Sequence, residues 1–265
     1  MNTITSKSMF DFCDMSKYRH HLNLLEEMIL PERCNFSHPI DDAGNTRNPI
    51  LSNYIKHMFK RVAQLDFAGN KDVVSISDDK RYICFNTNLY TKQYEFVCCV
   101  MERPRKTNKK WHLAGFFQES APELFCFSRL PAKVSFFESV QDLIYDPDIP
   151  LRCNTAHILG DPENIERLPL EIREAENLSI LFEGALSLVQ KKVKANYKIA
   201  VPQYYKESLQ FLLPICLSAG ADKVDVVLAV SRFPQFYRGN TCLTLDMAYN
   251  NARLIAKPES SWLRI

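Results

Sequence analysis

The chain has 265 residues, with 33 Lys plus Arg against 31 Asp plus Glu and 46% hydrophobic residues, the balance of an ordinary globular protein. That composition excludes collagen, disorder and coiled coil as the main architecture. No apolar run approaches the roughly 18 to 20 residues of a membrane-spanning helix; the best candidate, Leu209 to Leu217, is short and contains Pro214.

The first helical signal is Lys17 to Ile29, with Tyr18, Leu22, Leu25 and Ile29 at helical spacing, Ser16 as N-cap and Pro31 as the stop. Glu32 to Asn48, containing the polar run Asp41 to Asn45, reads as a loop. Pro49 opens a second helix running to Gln64, with Leu51, Ile55, Met58, Phe59 and Val62 on one face. Val73 to Ile76, Tyr82 to Phe85, Phe96 to Met101 and Trp111 to Phe117 read as strands of an antiparallel sheet packed on the two helices. Glu119 to Pro150, broken by four prolines, is an irregular connection with a short helix near Phe136 to Ile144.

A long helix is expected from about Arg173 to Tyr197. Glu171, Glu174 and Glu176 crowd its start and Lys191, Lys192, Lys194 and Lys198 its end, which complements the helix dipole. A β-meander follows, in segments Lys198 to Tyr205, Leu209 to Leu217, Val224 to Ser231, Phe236 to Tyr237 and Thr241 to Leu245. The last helix is Asp246 to Ala256, capped by Asp246 and stopped by Pro258. Helices and strands are segregated, so the expected class is α+β, mostly antiparallel sheet with helices packed on it, in two closely packed lobes over 1–130 and 131–265.

Glycine use restricts the chemistry. The seven glycines are widely separated, so neither the G-x-G-x-x-G turn nor the P-loop is present, and dinucleotide redox chemistry and P-loop NTPase activity are not expected. Nine cysteines, an odd number without any C-x-x-C, read as reduced core fillers and not as a disulfide framework or a zinc site. The histidines His20, His21, His38, His57 and His112 lack metal-ligand spacing, and no cofactor or metal is expected. The opening residues carry no signal-peptide pattern, so the expected location is the cytoplasm, without a membrane partner.

The densest polar set is in residues 237–253. On a helix starting at Asp246, the side chains of Tyr249, Asn250 and Arg253 follow at spacings of three and four and share one face. Arg253 and Asn250 suit a phosphate or carboxylate, with Arg238 and Asp246 as further binding groups, and Tyr249 can exchange a proton. Capping would explain Asp246 by itself but leaves Asn250 and Arg253 without a role. A second cluster, Lys194 to Tyr205, interleaves cations with aromatics as an RNA or nucleotide site does, with Lys198 and Gln203 as binding groups and Tyr204 as a proton-exchanging one. A solvated helix end followed by half-buried strand tyrosines is the alternative. His157, among Arg152, Asn154 and Asp161, is the histidine best placed to act as acid or base. The basic run Glu102 to Trp111 could straddle a nucleic-acid backbone, or be an exposed hairpin turn.

The segments Phe85–Leu89, Asp142–Asp146, Asn196–Tyr205, Leu212–Leu217 and Thr241–Leu254 together resemble the bacterial family called domain of unknown function thirty-eight twenty-five, over roughly Phe10 to Leu263. Asn88 stands where the family form has glycine. The resemblance implies work on RNA, because members are often joined to cold-shock-type or LOTUS-type RNA-binding modules; it implies no catalytic residues. The expectation is therefore an RNA- or nucleotide-acting hydrolase, a metal-independent phosphodiesterase with His157, Tyr204 and Tyr249 exchanging protons. The alternative is a noncatalytic RNA- or nucleotide-sensing module in a defence or stress system, and a homo-oligomer is compatible with either.

Overall fold

A computed structural model describes residues 3–37, 47–104, 111–218 and 223–263. The chain is α+β and divides into two units, Met1–Ser135 and Phe136–Ile265, each built on one five-stranded sheet. The polar run Asp41 to Asn45 and most of the basic run before Trp111 lie outside the described residues.

In the first unit, α1 (Met9–Phe12) and β1 (Cys13–Asp14) precede α2 (Tyr18–Met28) and α3 (Pro49–Phe67). Then come β2 (Ser75–Ile76), β3 (Tyr82–Tyr90), β4 (Phe96–Glu102) and β5 (Trp111–Gln118), in sheet order β1-β5-β4-β3-β2. All pairs are antiparallel except β1 with β5. Helix α3 covers one face, where Phe59 meets Phe85 edge-on at 5.7 Å and the Tyr54 hydroxyl donates to the Thr87 carbonyl at 2.9 Å. On the other face Cys84, Cys98 and Val100 pack with Leu124 and Phe127. Burial on both faces explains why β4, and β3 as far as Phe85, read as continuous apolar runs and do not alternate.

Two local expectations are corrected here. The cap of α2 is Lys17, without a side-chain bond; Ser16 lies one residue earlier and donates its N–H to Asp14 Oδ1 at 3.0 Å. Val73 to Ile76 is a turn of 3-10 helix, Lys71–Val73, followed by the two-residue β2. Asn88 has φ +57°, and its amide bonds the backbone of Val134 at 2.7 and 3.3 Å. Asparagine tolerates the left-handed region and adds a side-chain anchor that glycine lacks.

The second unit opens with β6 (Leu151–Arg152), then α4 (Thr155–Gly160), α5 (Pro162–Glu166), α6 (Leu170–Arg173) and α7 (Leu178–Ala195). Strands β7 (Val201–Tyr205), β8 (Ser208–Ile215), β9 (Val226–Arg232) and β10 (Tyr237–Leu243) lead to α8 (Leu245–Ala252). The sheet order is β6-β10-β9-β8-β7, antiparallel except for the parallel edge pair β6–β10. Phe182, Leu186, Val189 and Val193 of α7 pack on Phe211, Leu213, Val226, Leu228 and Val230, which alternate onto one face of the sheet.

The expected long helix is shorter at its start. Arg173 closes α6 by donating to the carbonyls of Leu168, at 2.6 Å, and Glu166, so Glu171 to Glu176 precede α7 and are not its first turn. Lys192 and Lys194 do occupy its last turn. The two expected strand pieces, Phe236 to Tyr237 and Thr241 to Leu245, form the single strand β10, interrupted by a bulge between Gly239 and Thr241. The cap of α8 is Thr244, whose Oγ1 accepts from the Met247 N–H at 3.3 Å; Asp246 stands in the first turn. The cause is the end of β10 at Leu243, which leaves Thr244 extended and starts helical geometry at Leu245.

All nine cysteines are free, six of them buried. Burial pushes the Cys153 and Cys242 thiols up to about 11 and about 12. The hydrogen bond with Cys98, and then burial, push Cys84 far above its ordinary value. Thiolate is the reactive form, so burial of these thiols slows their alkylation near neutral pH. The expected result with iodoacetamide at that pH is modification of the partly exposed Cys126 and Cys216 before the buried set, by peptide mass mapping. Equal labelling of Cys84, Cys98 and Cys99 in the folded protein would contradict it.

Candidate nucleic-acid interface

Strand register builds a polar row across the second sheet. Gln203 pairs with Gln210, Gln210 with Ser231, Ser231 with Arg238 and Arg238 with Arg152, so one residue from each of the five strands stands on the same face. This is the face opposite the α7 core, because Phe211 and Val230 alternate with the row. The amide of Gln203 donates to Gln210 Oε1 at 2.8 Å, and Asn240 donates to Ser231 Oγ at 2.7 Å. Arg238 Nε donates to Asn240 Oδ1 at 3.3 Å.

The row changes character along its length. At the β7 end Gln203 is 1% exposed, and its Oε1 accepts from Asn251 of α8 at 3.0 Å. At the other end Arg152 and Arg238 are exposed. There the turn joining β9 to β10 stacks Phe233 on Phe236, with centroids 4.9 Å apart and planes 7° from parallel. The Arg152 guanidinium lies 4.4 Å from the Phe236 ring centre, and that of Arg238 4.8 Å from Phe233. Arg232 is exposed on the same turn. Among the described residues none of these three arginines is in an ion pair. Such rings hold guanidinium planes in place by cation–π attraction without neutralising them. A shallow groove of about 660 Å³ runs beside them, lined by Arg152, Asn154, Thr155, Phe236, Arg238 and one carboxylate, Glu183.

Residues 25–262 match the family described as a domain of unknown function, DUF3825. The chain belongs to that family. No curated protein and no solved structure matches it.

The remaining expected site residues of this DUF3825 domain occupy separate places. His157 is exposed on α4, and its backbone N–H is held by Asn154 Oδ1 at 3.1 Å. Ile158 of that helix joins the α7 core, whereas α8 is tied to Gln203 on the opposite face, so the sheet separates His157 from Tyr249, Asn250 and Arg253. Tyr249 is buried. Asp246, Asn250 and Arg253 are half-buried, and Asn250 Oδ1 is enclosed without a hydrogen-bond partner among the described residues. Lys198 is exposed at the edge of a cleft of about 680 Å³ that also touches Tyr197, Pro202, Ala252 and Lys257. Tyr204 packs edge-on against Phe136 at 4.8 Å.

The two polar clusters of the sequence therefore meet, through Asn251 and Gln203 and across the Lys198 cleft. Arg238 lies three strands from β7, about 14 Å at ordinary strand spacing. Sequence reasoning passed over Phe233 and Phe236. Their signal is the run 232–238, in which Arg, Phe, Pro, Gln, Phe, Tyr and Arg place two cations and three aromatic rings around a proline turn. Among the described residues no three His, Cys, Asp or Glu side chains converge as metal ligands, and no helix is long and apolar enough to cross a membrane.

Proposed function

We propose that this unit is a noncatalytic RNA- or nucleotide-binding module, and that single-stranded RNA lies along the β9–β10 turn. The observation that carries the reading is the pair of exposed arginines held on stacked phenylalanines without ion-pair partners. Guanidinium groups contact phosphate while the rings and guanidinium planes stack on bases, a mode that tolerates sequence. The bacterial origin, the joined RNA-binding modules of relatives and a role in defence or stress belong to this proposal.

Fluorescence anisotropy with labelled single-stranded RNA tests it. Arg152→Ala with Arg238→Ala, and separately Phe236→Ala, are expected to weaken binding by about tenfold or more, since stacking contributes ~1–3 kcal/mol per base. Affinity should fall steeply with added salt. Unchanged affinity in both variants would sink the reading.

A hydrolase acting on the same RNA is the second reading, favoured by one observation: exposed His157 sits on α4, whose first turn lines the groove beside Arg238. It predicts new RNA products by mass spectrometry, lost in His157→Ala. RNA recovered intact decides for the binding module.

A further inference from the structure

The N-terminal unit holds a concave cleft of about 750 Å³ between the start of α2 and the start of α3. Lys17 at the cap of α2 and Arg19 and His20 in its first turn line it on one side, and Arg47, two residues before α3, and Lys56 of α3 on the other. Among the described residues no aspartate or glutamate lines it. All five basic side chains are exposed. Lys17, Arg19 and Lys56 have no ion-pair partner among the described residues, and Arg47 has only a 3.5 Å contact with Glu26. The whole chain carries a formal charge of +2, so the clustering is local and not a consequence of overall basicity. Burial first, and then His20 and Lys17, hold the pKa of the neighbouring His21 below its ordinary value.

The cleft also has an aromatic wall. Phe10 is 43% exposed, with Lys56 Nζ 5.3 Å from its ring centre. Tyr18 packs edge-on against it at 5.6 Å and is fixed by donating its hydroxyl to the Ser52 carbonyl at 3.3 Å. Several exposed positive charges, of which only Arg47 meets a carboxylate among the described residues, select a ligand with several negative charges. An exposed ring on an anchored partner selects a planar group on the same ligand. The volume falls in the range of small-molecule sites, roughly 300–1,000 Å³.

We infer that this cleft binds a nucleoside polyphosphate, its phosphates among Lys17, Arg19, Arg47 and Lys56 and its base against Phe10. It is a site apart from the RNA surface of the second unit and does not depend on that reading.

Calorimetric titration of the full chain at ~0.1 M salt, with ATP, ADP, adenosine and inorganic tripolyphosphate as probes, tests the inference. The expected order is ATP tighter than ADP, with adenosine showing no saturable binding and tripolyphosphate about tenfold weaker than ATP. Lys17→Ala with Lys56→Ala should weaken ATP by about tenfold or more. Phe10→Ala should weaken ATP and leave tripolyphosphate unchanged. Loss of ATP binding in Arg152→Ala with Arg238→Ala, with full affinity kept in the lysine variant, would place the nucleotide on the second unit and overturn the inference. Absence of saturable ATP binding, equal affinity for tripolyphosphate and ATP, or full ATP affinity in the lysine variant would each overturn the inference.

Discussion

Replacing Asn164 by alanine is expected to cost the C-terminal unit about 3 kcal/mol of stability, as two or more buried backbone groups lose their partners at ~1–3 kcal/mol each. Asn164 is 2% exposed. Its Oδ1 accepts from the Cys242 N–H at 3.0 Å and from Thr241 Oγ1 at 2.6 Å, and its Nδ2 donates to the Ile158 carbonyl at 3.1 Å. These bonds fasten α5 and α4 to β10 immediately after its bulge, where the ladder with β9 is interrupted. Arg167 reinforces the joint by donating to the Cys242 carbonyl at 2.8 Å, but it cannot accept from the Cys242 N–H.

Urea denaturation followed by Trp262 fluorescence in a Trp111→Phe background reports this unit, because the chain has two tryptophans and Trp262 donates to the Ile199 carbonyl at 2.9 Å. Asn164→Asp keeps the acceptor and loses the donor, so its loss should be smaller than that of alanine. A loss below about 0.5 kcal/mol in Asn164→Ala, the range of neutral surface changes, would show that the bulge is held by other means.

The Asp66→Ala variant is expected to lose about 2–4 kcal/mol and to release the N-terminal segment, because a buried carboxylate that accepts several N–H donors leaves them stranded when removed. Asp66 is fully buried near the end of α3. One of its oxygens accepts from the N–H groups of Thr3 and Ile4 at 2.8 and 3.0 Å, and the other meets Lys71 Nζ at 2.9 Å. Lys71 is half-exposed, so water can take over its charge, and most of the cost falls on the two backbone donors. Ile4 is 1% exposed, so losing the anchor also uncovers apolar surface. Hydrogen exchange at Thr3 and Ile4 checks the local effect and thermal unfolding the global one. Full protection of both amides in Asp66→Ala would contradict the account.

Much of the fold is legible in the residues. The apolar face Leu51, Ile55, Met58, Phe59 and Val62 marks α3, and all five are buried with Pro49 at its start. The β-branched and aromatic runs mark β4, β5, β8 and β9 to within about two residues, but stop at Phe85, before the second half of β3 with its polar Asn86, Thr87 and Asn88. These elements carry long periodic signals that local sterics and burial both enforce.

The exceptions share a physical cause. The edge strands β1 and β6 have two residues each and no period to read; their parallel partners alone define them. Gly239 and Asn240 suit a turn as well as a bulge, and the choice is made by β9 on one side and Asn164 on the other. Lys206 and Glu207 both adopt positive φ in the β7–β8 turn without the glycine or asparagine that usually announces it. Thr244 and Asp246 are both good caps, and the end of β10 selects between them.

The site divides in the same way. The sequence by itself determined which side chains carry charge, rings and amides, the α+β class, and the absence of phosphate-binding glycine loops, because these depend on residue type and short spacing. Only the tertiary structure decided their grouping. Register across five strands set Arg152 beside Arg238 and ran the row to Gln203, while alternation about the sheet put His157 and α8 on opposite faces. Pairing between strands distant in the chain depends on the packing of both faces at once, and a one-residue slip would invert every side chain in the row.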